Sequence, residues 1–237
     1  MLEIIRLHLA SLTVPGAGEW PVHGFVVTHP GGAILVDTGV GGPPDALTDW
    51  RVVNRTVADA LADIDMTPGD IDLVINTHLH FDHCGQNAVF KHAACWVQRA
   101  ELARSKVQEP ELYDWFDFMN ARFELLDGDT EVVPGVSIIT TPGHTSGHQS
   151  VVVSTGGRTG GAQDQRRAGG ARDQHGGTEV LIGDAAYTSV LYSGPADQKL
   201  PPGQAADPAS WHESIHRLHA LEPARVHFCH DTAVVHR

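Results

Sequence analysis

The sequence of 237 residues predicts a layered α/β protein, because short apolar runs typical of strands alternate with amphipathic stretches typical of helices. A second observation supports this class: histidines and aspartates follow several predicted strands, at the edge where open α/β sheets bind ligands. A third is composition, since 41% hydrophobic and 19% charged residues are ordinary for a globular chain and exclude a disordered or fibrous one. We therefore expect one domain over residues 1–237.

The predicted strands are β-branched or apolar runs bounded by turn residues, and Pro30, Gly31 and Gly32 join the first two as a hairpin. Residues 55–64 and 209–221 have the apolar spacing of amphipathic helices, and the second begins with a capping aspartate followed by a proline. Residues 99–121 also have helical character, interrupted at a proline. The strands cover residues 25–28, 33–36, 71–75, 136–140, 149–153, 179–182 and 226–229.

Residues 155–177 differ from the rest of the chain. They hold eight of its 25 glycines and no aromatic or large aliphatic residue, so they cannot contribute to a core. We predict a Gly/Arg-rich loop insertion, with a basic tether for an acidic partner as the alternative. If strands 149–153 and 179–182 pair as a hairpin, the insertion lies at the far tip of that hairpin.

Charge and cysteine content restrict the partners and the compartment. The net charge of −13 disfavours nucleic acid and anionic membrane surfaces. The three cysteines are too few and too scattered for a disulfide framework, and no apolar run approaches the roughly 18 residues of a membrane span. Charged residues interrupt the apolar stretch of residues 1–12, unlike a signal peptide. We predict a cytoplasmic protein with a small-molecule partner, and leave open whether it forms a homodimer.

The motif His78-Leu79-His80-Phe81-Asp82-His83 follows strand 71–75, and composition alone does not explain it. Imidazole and carboxylate are ligands that suit zinc and neighbouring metals. His78 and His80 can face the same way on an extended backbone and share one ion, and a turn at Asp82 can direct Asp82 and His83 to a second. The alternative is a cluster of surface histidines that caps a helix.

Three further residues argue against that alternative. His144, Asp184 and His230 come shortly after strands 136–140, 179–182 and 226–229. Candidate ligands therefore follow four different strands, where one shared site would lie.

With these motifs the chain resembles the metallo-β-lactamase-fold superfamily, whose signature is H-x-H-x-D-H followed by His, Asp and His at similar intervals. Within it, the chain is most similar to the N-acyl-homoserine lactone lactonase family, from about residue 20 to the C-terminus. The matching segments are residues 36–39, 77–83, 132–136, 141–150, 184–188 and 230–231.

The resemblance implies an αββα sandwich with a dinuclear metal site at one edge of the two sheets. It implies two divalent ions, most typically zinc, with iron, cobalt and manganese as other options. One ion would be bound by His78, His80 and His144, the second by Asp82, His83 and His230, and Asp184 would bridge them.

The implied activity is hydrolysis of a carboxylic ester bond, the opening of the lactone ring of N-acyl-homoserine lactones that is termed quorum quenching. Tyr187 would donate a hydrogen bond to the carbonyl oxygen, and Asp82 would protonate the leaving alkoxide. Asp37 and His148 would orient ligands. A packed aromatic at Tyr187 and a solvent-facing strand residue at His148 are the alternatives for those two positions.

The sequence departs from the lactonases at Cys84 and Cys229, where they usually have small residues. We interpret both as small buried residues outside the ligand geometry, with a reactive thiol as the alternative. Rival functions are hydrolysis of another lactone such as 4-pyridoxolactone, a glyoxalase II-like thioesterase, and an iron redox protein or non-catalytic metal protein on the same fold. Acyl-chain preference and native metal stay open.

Overall fold

Two β-sheets form the centre of the protein in a computed structural model that describes residues 2–14, 16, 18–42, 44–155 and 177–237. The first sheet has the order β4-β1-β2-β3-β5-β6-β7. Its strands are β1 (Glu3–Val14), β2 (Gly18–His29), β3 (Gly32–Val36), β4 (Val53–Asn54), β5 (Leu73–Ile75), β6 (Ala94–Gln98) and β7 (Phe123–Leu126).

The second sheet has the order β13-β12-β11-β10-β9-β8. Its strands are β8 (Thr130–Val133), β9 (Val136–Thr140), β10 (Gln149–Ser154), β11 (Thr178–Leu181), β12 (Arg225–His227) and β13 (Val234–His236).

Helices cover the outer faces of the two sheets. Val57 and Leu61 of the second helix pack on the first sheet, and Trp211 and Leu218 of the last helix pack on the second. The α-helices are α1 (Pro44–Asp49), α2 (Val57–Ala62), α3 (Phe81–Cys84), α4 (Arg99–Gln108), α5 (Pro110–Phe116), α6 (Ser189–Ser193) and α7 (Pro208–Ala220).

One core layer lies between the two sheets. Buried apolar side chains of β2, β3 and β5 meet those of β9, β10 and β11, so each sheet covers the apolar face of the other. With helices outside, this is the predicted αββα sandwich. The residues that form this layer include Phe25, Val27, Ile34, Val36, Ile75, Val136, Ile138, Val151, Val153 and Leu181.

Several predicted boundaries shift. The strand predicted at 71–75 begins at Leu73, after a short 3₁₀ turn, Pro68–Asp70. The helix predicted at 55–64 is shorter, with Thr56 as its N-cap, and the stretch 99–121 divides into α4 and α5 at Glu109. The predicted cap of α7 is present, since the Asp207 carboxylate accepts hydrogen bonds from the first turn of that helix.

The strand predicted at 226–229 is instead Arg225–His227, so Phe228 and Cys229 lie beyond its end. Its parallel pairing with β11 stops at Leu181 and His227. The chain therefore leaves the sheet two residues earlier than the apolar run suggests, and this change of direction determines where Cys229 points.

Strands β10 and β11 form the predicted antiparallel hairpin, with pairs from Val151–Leu181 to Ser154–Thr178. Thr155 N donates to the Gly177 carbonyl at 3.1 Å and closes its far end. Most of the predicted insertion, residues 156–176, lies outside the described residues. In the part of the chain that is described, no helix combines the length and apolar character required to cross a membrane.

Candidate metal centre

The seven predicted metal ligands converge at one edge of the two sheets. They come from separate segments of the chain, which the strand ends bring together. His78 and His80 follow β5, Asp82 and His83 lie in α3, His144 lies between β9 and β10, Asp184 lies in the 3₁₀ turn after β11, and His230 follows β12.

The first group of donors consists of His78, His80, His144 and Asp184, and their ligand atoms all lie within 4.8 Å of one another. His80 Nδ1 is 2.8 Å from His78 Nε2 and 3.0 Å from His144 Nε2. Asp184 Oδ2 is 3.4 Å from His144 Nε2 and 3.8 Å from His78 Nε2. Three ring nitrogens and one carboxylate oxygen thus face a common point.

Burial, followed by repulsion from neighbouring histidines, holds the pKa values of His78 and His80 well below the ordinary histidine value. Burial also lowers the pKa of His144. These three imidazoles are therefore neutral near pH 7, which is the form that binds a metal ion.

The second group contains His83 and His230 with the other oxygen of Asp184. The Nε2 atoms of His83 and His230 lie 3.4 Å and 3.3 Å from Asp184 Oδ1. Asp82 Oδ2 is 3.7 Å from His83 Nε2 and 3.5 Å from His230 Nε2. Asp184 therefore presents one oxygen to each group, as the predicted bridging role requires.

The side chains around the second group raise the pKa values of its two histidines. Burial lowers the pKa of His230, but its neighbours Cys229, Asp184 and Asp82 more than offset this and raise it to about 10. The pKa of His83 is likewise raised well above its usual value against the effect of burial. The neighbours of His83 and His230 thus favour positive charge in the second group, and a bound cation would supply it.

Two buried atoms of this group have no hydrogen-bond partner among the described residues, His83 Nε2 and Asp184 Oδ1. An unpaired buried polar atom costs roughly 1–3 kcal/mol, so native structures rarely leave one without a purpose. Both atoms point to the place between the donors. Unpaired nitrogen and oxygen donors in this arrangement fit a divalent metal ion in the second group.

Asp37 fixes the orientation of His83. It has a left-handed backbone conformation, with φ of 61°, and its carboxylate accepts hydrogen bonds from Thr77 N and Thr77 Oγ1, both at 2.8 Å. His83 Nδ1 lies 2.8 Å from Asp37 Oδ2. That contact leaves His83 Nε2 directed to the donor group, as is usual for metal-binding histidines.

Backbone carbonyl oxygens fix the ring orientation of two other histidines. His230 Nδ1 is 2.9 Å from the Pro21 carbonyl oxygen, and His144 Nδ1 is 3.1 Å from that of Gln204. In each ring the nitrogen that faces the site is the one left free to bind.

His148 is fully buried, so the solvent-facing alternative for this residue is wrong. Burial lowers its pKa to about 3, and the neutral ring accepts a hydrogen bond from Asp184 N at 3.0 Å. His148 thus holds the backbone of Asp184 in place.

Glu101 of α4 is a buried carboxylate that the sequence analysis missed. Its Oε1 accepts from Leu79 N at 3.0 Å, and its Oε2 accepts from Thr145 Oγ1 at 2.7 Å and from Gly147 N at 3.2 Å. It therefore joins the loop that carries His78 and His80 to the loop that carries His144. No motif marks this residue, because an ordinary helical glutamate gives no local sequence signal.

A chain of charges continues from Glu101 to the rim of the site. Arg104 pairs with Glu101 and with Glu109, each at 2.8 Å. Glu109 Oε1 lies 3.5 Å from His80 Nε2, the ring nitrogen that faces away from the other donors. This carboxylate is therefore placed to orient His80.

Tyr187 lies between the two donor groups. Its ring centroid is 5.5 Å from that of His144 and 5.6 Å from that of His230, and Trp20 packs edge-on against it at 5.3 Å. Burial and the negative charges of Asp184 and Asp82 raise the pKa of Tyr187 above its usual value. The hydroxyl therefore stays protonated and available as a donor.

Cys229 does not lie where the sequence analysis placed it. Its Sγ is one of four donor atoms, with those of His83, Asp184 and His230, that lie within 4.8 Å of one another. The interpretation that this cysteine falls outside the ligand geometry is therefore wrong. Cys84 is buried as expected, and its thiol donates to the His80 carbonyl oxygen at 3.2 Å.

The fold and the donor arrangement agree with the family comparison. The chain belongs to the metallo-beta-lactamase superfamily, whose model matches residues 17–160, more than half of the chain. Among curated relatives, it is 35% identical over 161 residues to an N-acyl homoserine lactonase of a Bacillus species, a match that covers 62% of this chain and 63% of the relative. The matched region thus spans less than two thirds of that relative.

A longer match is to an N-acyl homoserine lactonase of Bacillus thuringiensis, with 28% identity over 229 residues, 89% of this chain and 81% of the relative. Among solved structures, the chain is similar to an N-acyl homoserine lactone hydrolase with the product N-hexanoyl-L-homoserine bound at its catalytic metal centre. The TM-score is 0.72 at 25% identity, and the match covers 98% of this chain and 93% of the other.

Proposed function

We propose that this protein is a hydrolase that uses two divalent metal ions, zinc in the first instance, to open the lactone ring of N-acyl-homoserine lactones. The observation that carries the proposal is the shared carboxylate: Asp184 presents one oxygen to each of two groups of buried donors. The names of the relatives support the choice of substrate.

In this proposal each donor group holds one ion. Bound there, divalent ions would supply an activated water at neutral pH and polarise the ester carbonyl. The first group consists of His78, His80, His144 and Asp184, and the second of Asp82, His83, His230 and Asp184.

Tyr187 would bind the substrate carbonyl. Its ring lies beside both His144 and His230, and its hydroxyl remains protonated, so it can donate a hydrogen bond to an oxygen that gains negative charge. A donor that is already in place requires little reorganisation during the reaction.

Asp82 would handle the proton. The residue is 7% exposed, and its carboxylate faces the ring nitrogens of His83 and His230. Opening of a lactone ring leaves an alkoxide that needs one proton, and a carboxyl group at the edge of the donor group is suitably placed to transfer it.

Aromatic side chains beside the second donor group favour a substrate with an apolar part. Trp20 lies 5.8 Å from the His230 ring, and Trp50 lies 6.1 Å from Phe81, the residue before Asp82. All three aromatic rings are only partly buried. They would offer apolar surface to an acyl chain while the lactone head group meets the donors.

The direct test is hydrolysis of homoserine lactones of several acyl-chain lengths by the purified protein. Ring opening is measured through the protons it releases, with and without a chelator. We expect chelator-sensitive ring opening. 4-Pyridoxolactone and a glutathione thioester serve as comparison substrates, because both would fit the same donors. Turnover of either one, without turnover of any homoserine lactone, would contradict the proposed substrate.

A further inference from the structure

The donor set of the second group includes a sulfur atom. Cys229 is 1% exposed and lies immediately before His230, in the segment that leaves β12 after His227. Its Sγ and the ligand atoms of His83, Asp184 and His230 lie within 4.8 Å of one another. Four buried side chains of metal-binding types therefore surround one point.

A second observation shows that this point needs a ligand. His83 Nε2 and Asp184 Oδ1, two of the four donor atoms, are buried and have no hydrogen-bond partner among the described residues. The cysteine is thus part of an unsatisfied donor cluster. The sulfur also donates a hydrogen bond to the His23 carbonyl oxygen at 3.2 Å, so it lies between β2 and this cluster.

The donors must move closer together to bind one ion. With typical bonds of about 2.3 Å to sulfur and about 2.0 Å to nitrogen, two donors at a tetrahedral angle on one zinc ion lie about 3.5 Å apart. The four donor atoms lie within 4.8 Å of one another, so bound donors would have to approach by up to about 1.3 Å. A rotation of the Cys229 side chain, with loss of its hydrogen bond to the His23 carbonyl oxygen, would bring the sulfur towards the other donors.

We propose that Cys229 binds the second metal ion as a thiolate, in addition to Asp82, His83, His230 and Asp184. This proposal rests on the proposed metal site, but extends it to a residue that hydrolysis of a lactone does not require. On binding, the S–H bond breaks, a sulfur–metal bond forms, and the proton leaves to solvent, as is usual for coordinating thiols.

The consequence is that the two metal positions differ in their metal preference. The first has only nitrogen and oxygen donors, whereas the second adds a soft thiolate. Thiolate ligands favour zinc and other soft ions over manganese or magnesium. The second position would therefore select thiophilic ions, and the first would accept a wider range.

Cobalt substitution tests the proposal without reference to catalysis. The metal-depleted full-length protein is loaded with Co²⁺, bound cobalt is counted by metal analysis, and absorption spectra are recorded. A thiolate bound to cobalt gives a charge-transfer band in the near ultraviolet, which nitrogen and oxygen ligands do not give. We expect this band in the wild-type protein at about two cobalt ions per chain.

Two matched variants assign the band. Cys229→Ser keeps a small polar side chain and should remove the band, while visible cobalt bands from the other ligands persist. Cys95→Ala alters a buried cysteine of β6 in the core beneath α2 and should leave the band unchanged. We also expect Cys229→Ser to weaken cadmium binding by more than the roughly 10- to 100-fold typical for loss of a group that only orients a ligand, with little change for manganese.

The outcomes separate the two proposals. Two bound cobalt ions without a charge-transfer band in the wild-type protein would contradict thiolate binding and leave the dinuclear site intact. A band that persists in Cys229→Ser would come from another thiol and would equally overturn the assignment. Binding of fewer than two cobalt ions would contradict the dinuclear site itself and the role of Cys229 with it.

Discussion

The two donor groups share Asp184 but differ in their charge and in the residues that hold them. The first consists of closely packed histidines with lowered pKa values, and Glu101 joins the two loops that carry them. The second has histidines with raised pKa values among anionic neighbours, and Asp37 orients one of them. The histidines of the first group are therefore neutral ligands. The surroundings of the second group favour a bound cation more strongly than those of the first.

Replacing Asp184 should have the largest effect, because its two oxygens serve both groups. In Asp184→Ala we expect metal content to fall from about two ions per chain to less than one, and lactone hydrolysis to be lost. Metal analysis checks this, with Asp114→Ala, an exposed aspartate, as the control. Loss of one ion with full retention of the other would show that Asp184 does not bridge.

Tyr187→Phe tests the residue that lies between the groups without altering a ligand. We expect unchanged metal content and a fall in kcat, because one hydrogen-bond donor to the developing oxyanion is removed. Losses of this kind reach roughly 100- to 1,000-fold at most. If kcat and KM for homoserine lactones are both unchanged, the role of Tyr187 is packing against Trp20.

Asp37→Asn should weaken the second group selectively. The amide keeps the shape of the side chain but removes the charge beside His83 Nδ1, so the ring loses its fixed orientation. We expect affinity for one of the two ions to fall by about 10- to 100-fold, and the other to change little. Calorimetric titration with zinc measures both affinities. An equal loss at both positions would remove the distinction drawn between the groups.

Glu101→Gln should have the opposite selectivity and a smaller effect. Glu101 acts through the backbone of Leu79 and through Thr145 and Gly147, so its loss should loosen the first group without contact to any ligand. We expect affinity at the first position to fall by about tenfold, at the low end of the range for such supporting groups. Glu124→Gln, an exposed position on β7, is the control. Weaker binding at the second position alone would show that Glu101 does not support the first group.

Deleting residues 158–175 should have the smallest effect. The removed residues lie outside the described part of the chain, but β10 and β11 pair as far as Ser154 and Thr178, at the end of the hairpin away from the donors. That end lies roughly 15 Å from the site, at about 3.3 Å per residue. We expect unchanged metal content and turnover, and a change in the free energy of unfolding below about 1 kcal/mol. A large drop in turnover at constant metal content would show that the insertion reaches the site.

The seven predicted ligands come together in the structure because most of the signal for them is local in sequence. The motif at residues 78–83 contains four of the seven in six positions. The other three, His144, Asp184 and His230, each follow within four residues of the end of a strand. The αββα arrangement follows from the family resemblance, and the β10–β11 hairpin from the position of the insertion. These features depend on short-range patterns that tertiary packing does not override.

The missed features depend on tertiary contacts. Glu101 acts on loops that lie 22 and 44 residues away in sequence. Cys229 Sγ lies within 4.8 Å of the ligand atoms of His83, Asp184 and His230, whereas the apolar run through residue 229 suggested a strand residue; β12 in fact ends at His227. Strand β1 was missed because its polar residues, such as Arg6 and His8, interrupt the apolar pattern, although Leu7 and Leu9 are buried on one face.

The proposed hydrolysis needs both donor groups at once, and stepwise reconstitution with metal tests this most directly. Metal-depleted protein is titrated with zinc while bound ions and the rate of homoserine lactone opening are measured at each step. We predict little activity at one ion per chain and full activity only at about two. Full activity at one bound ion, or activity that survives complete removal of metal, would contradict the account.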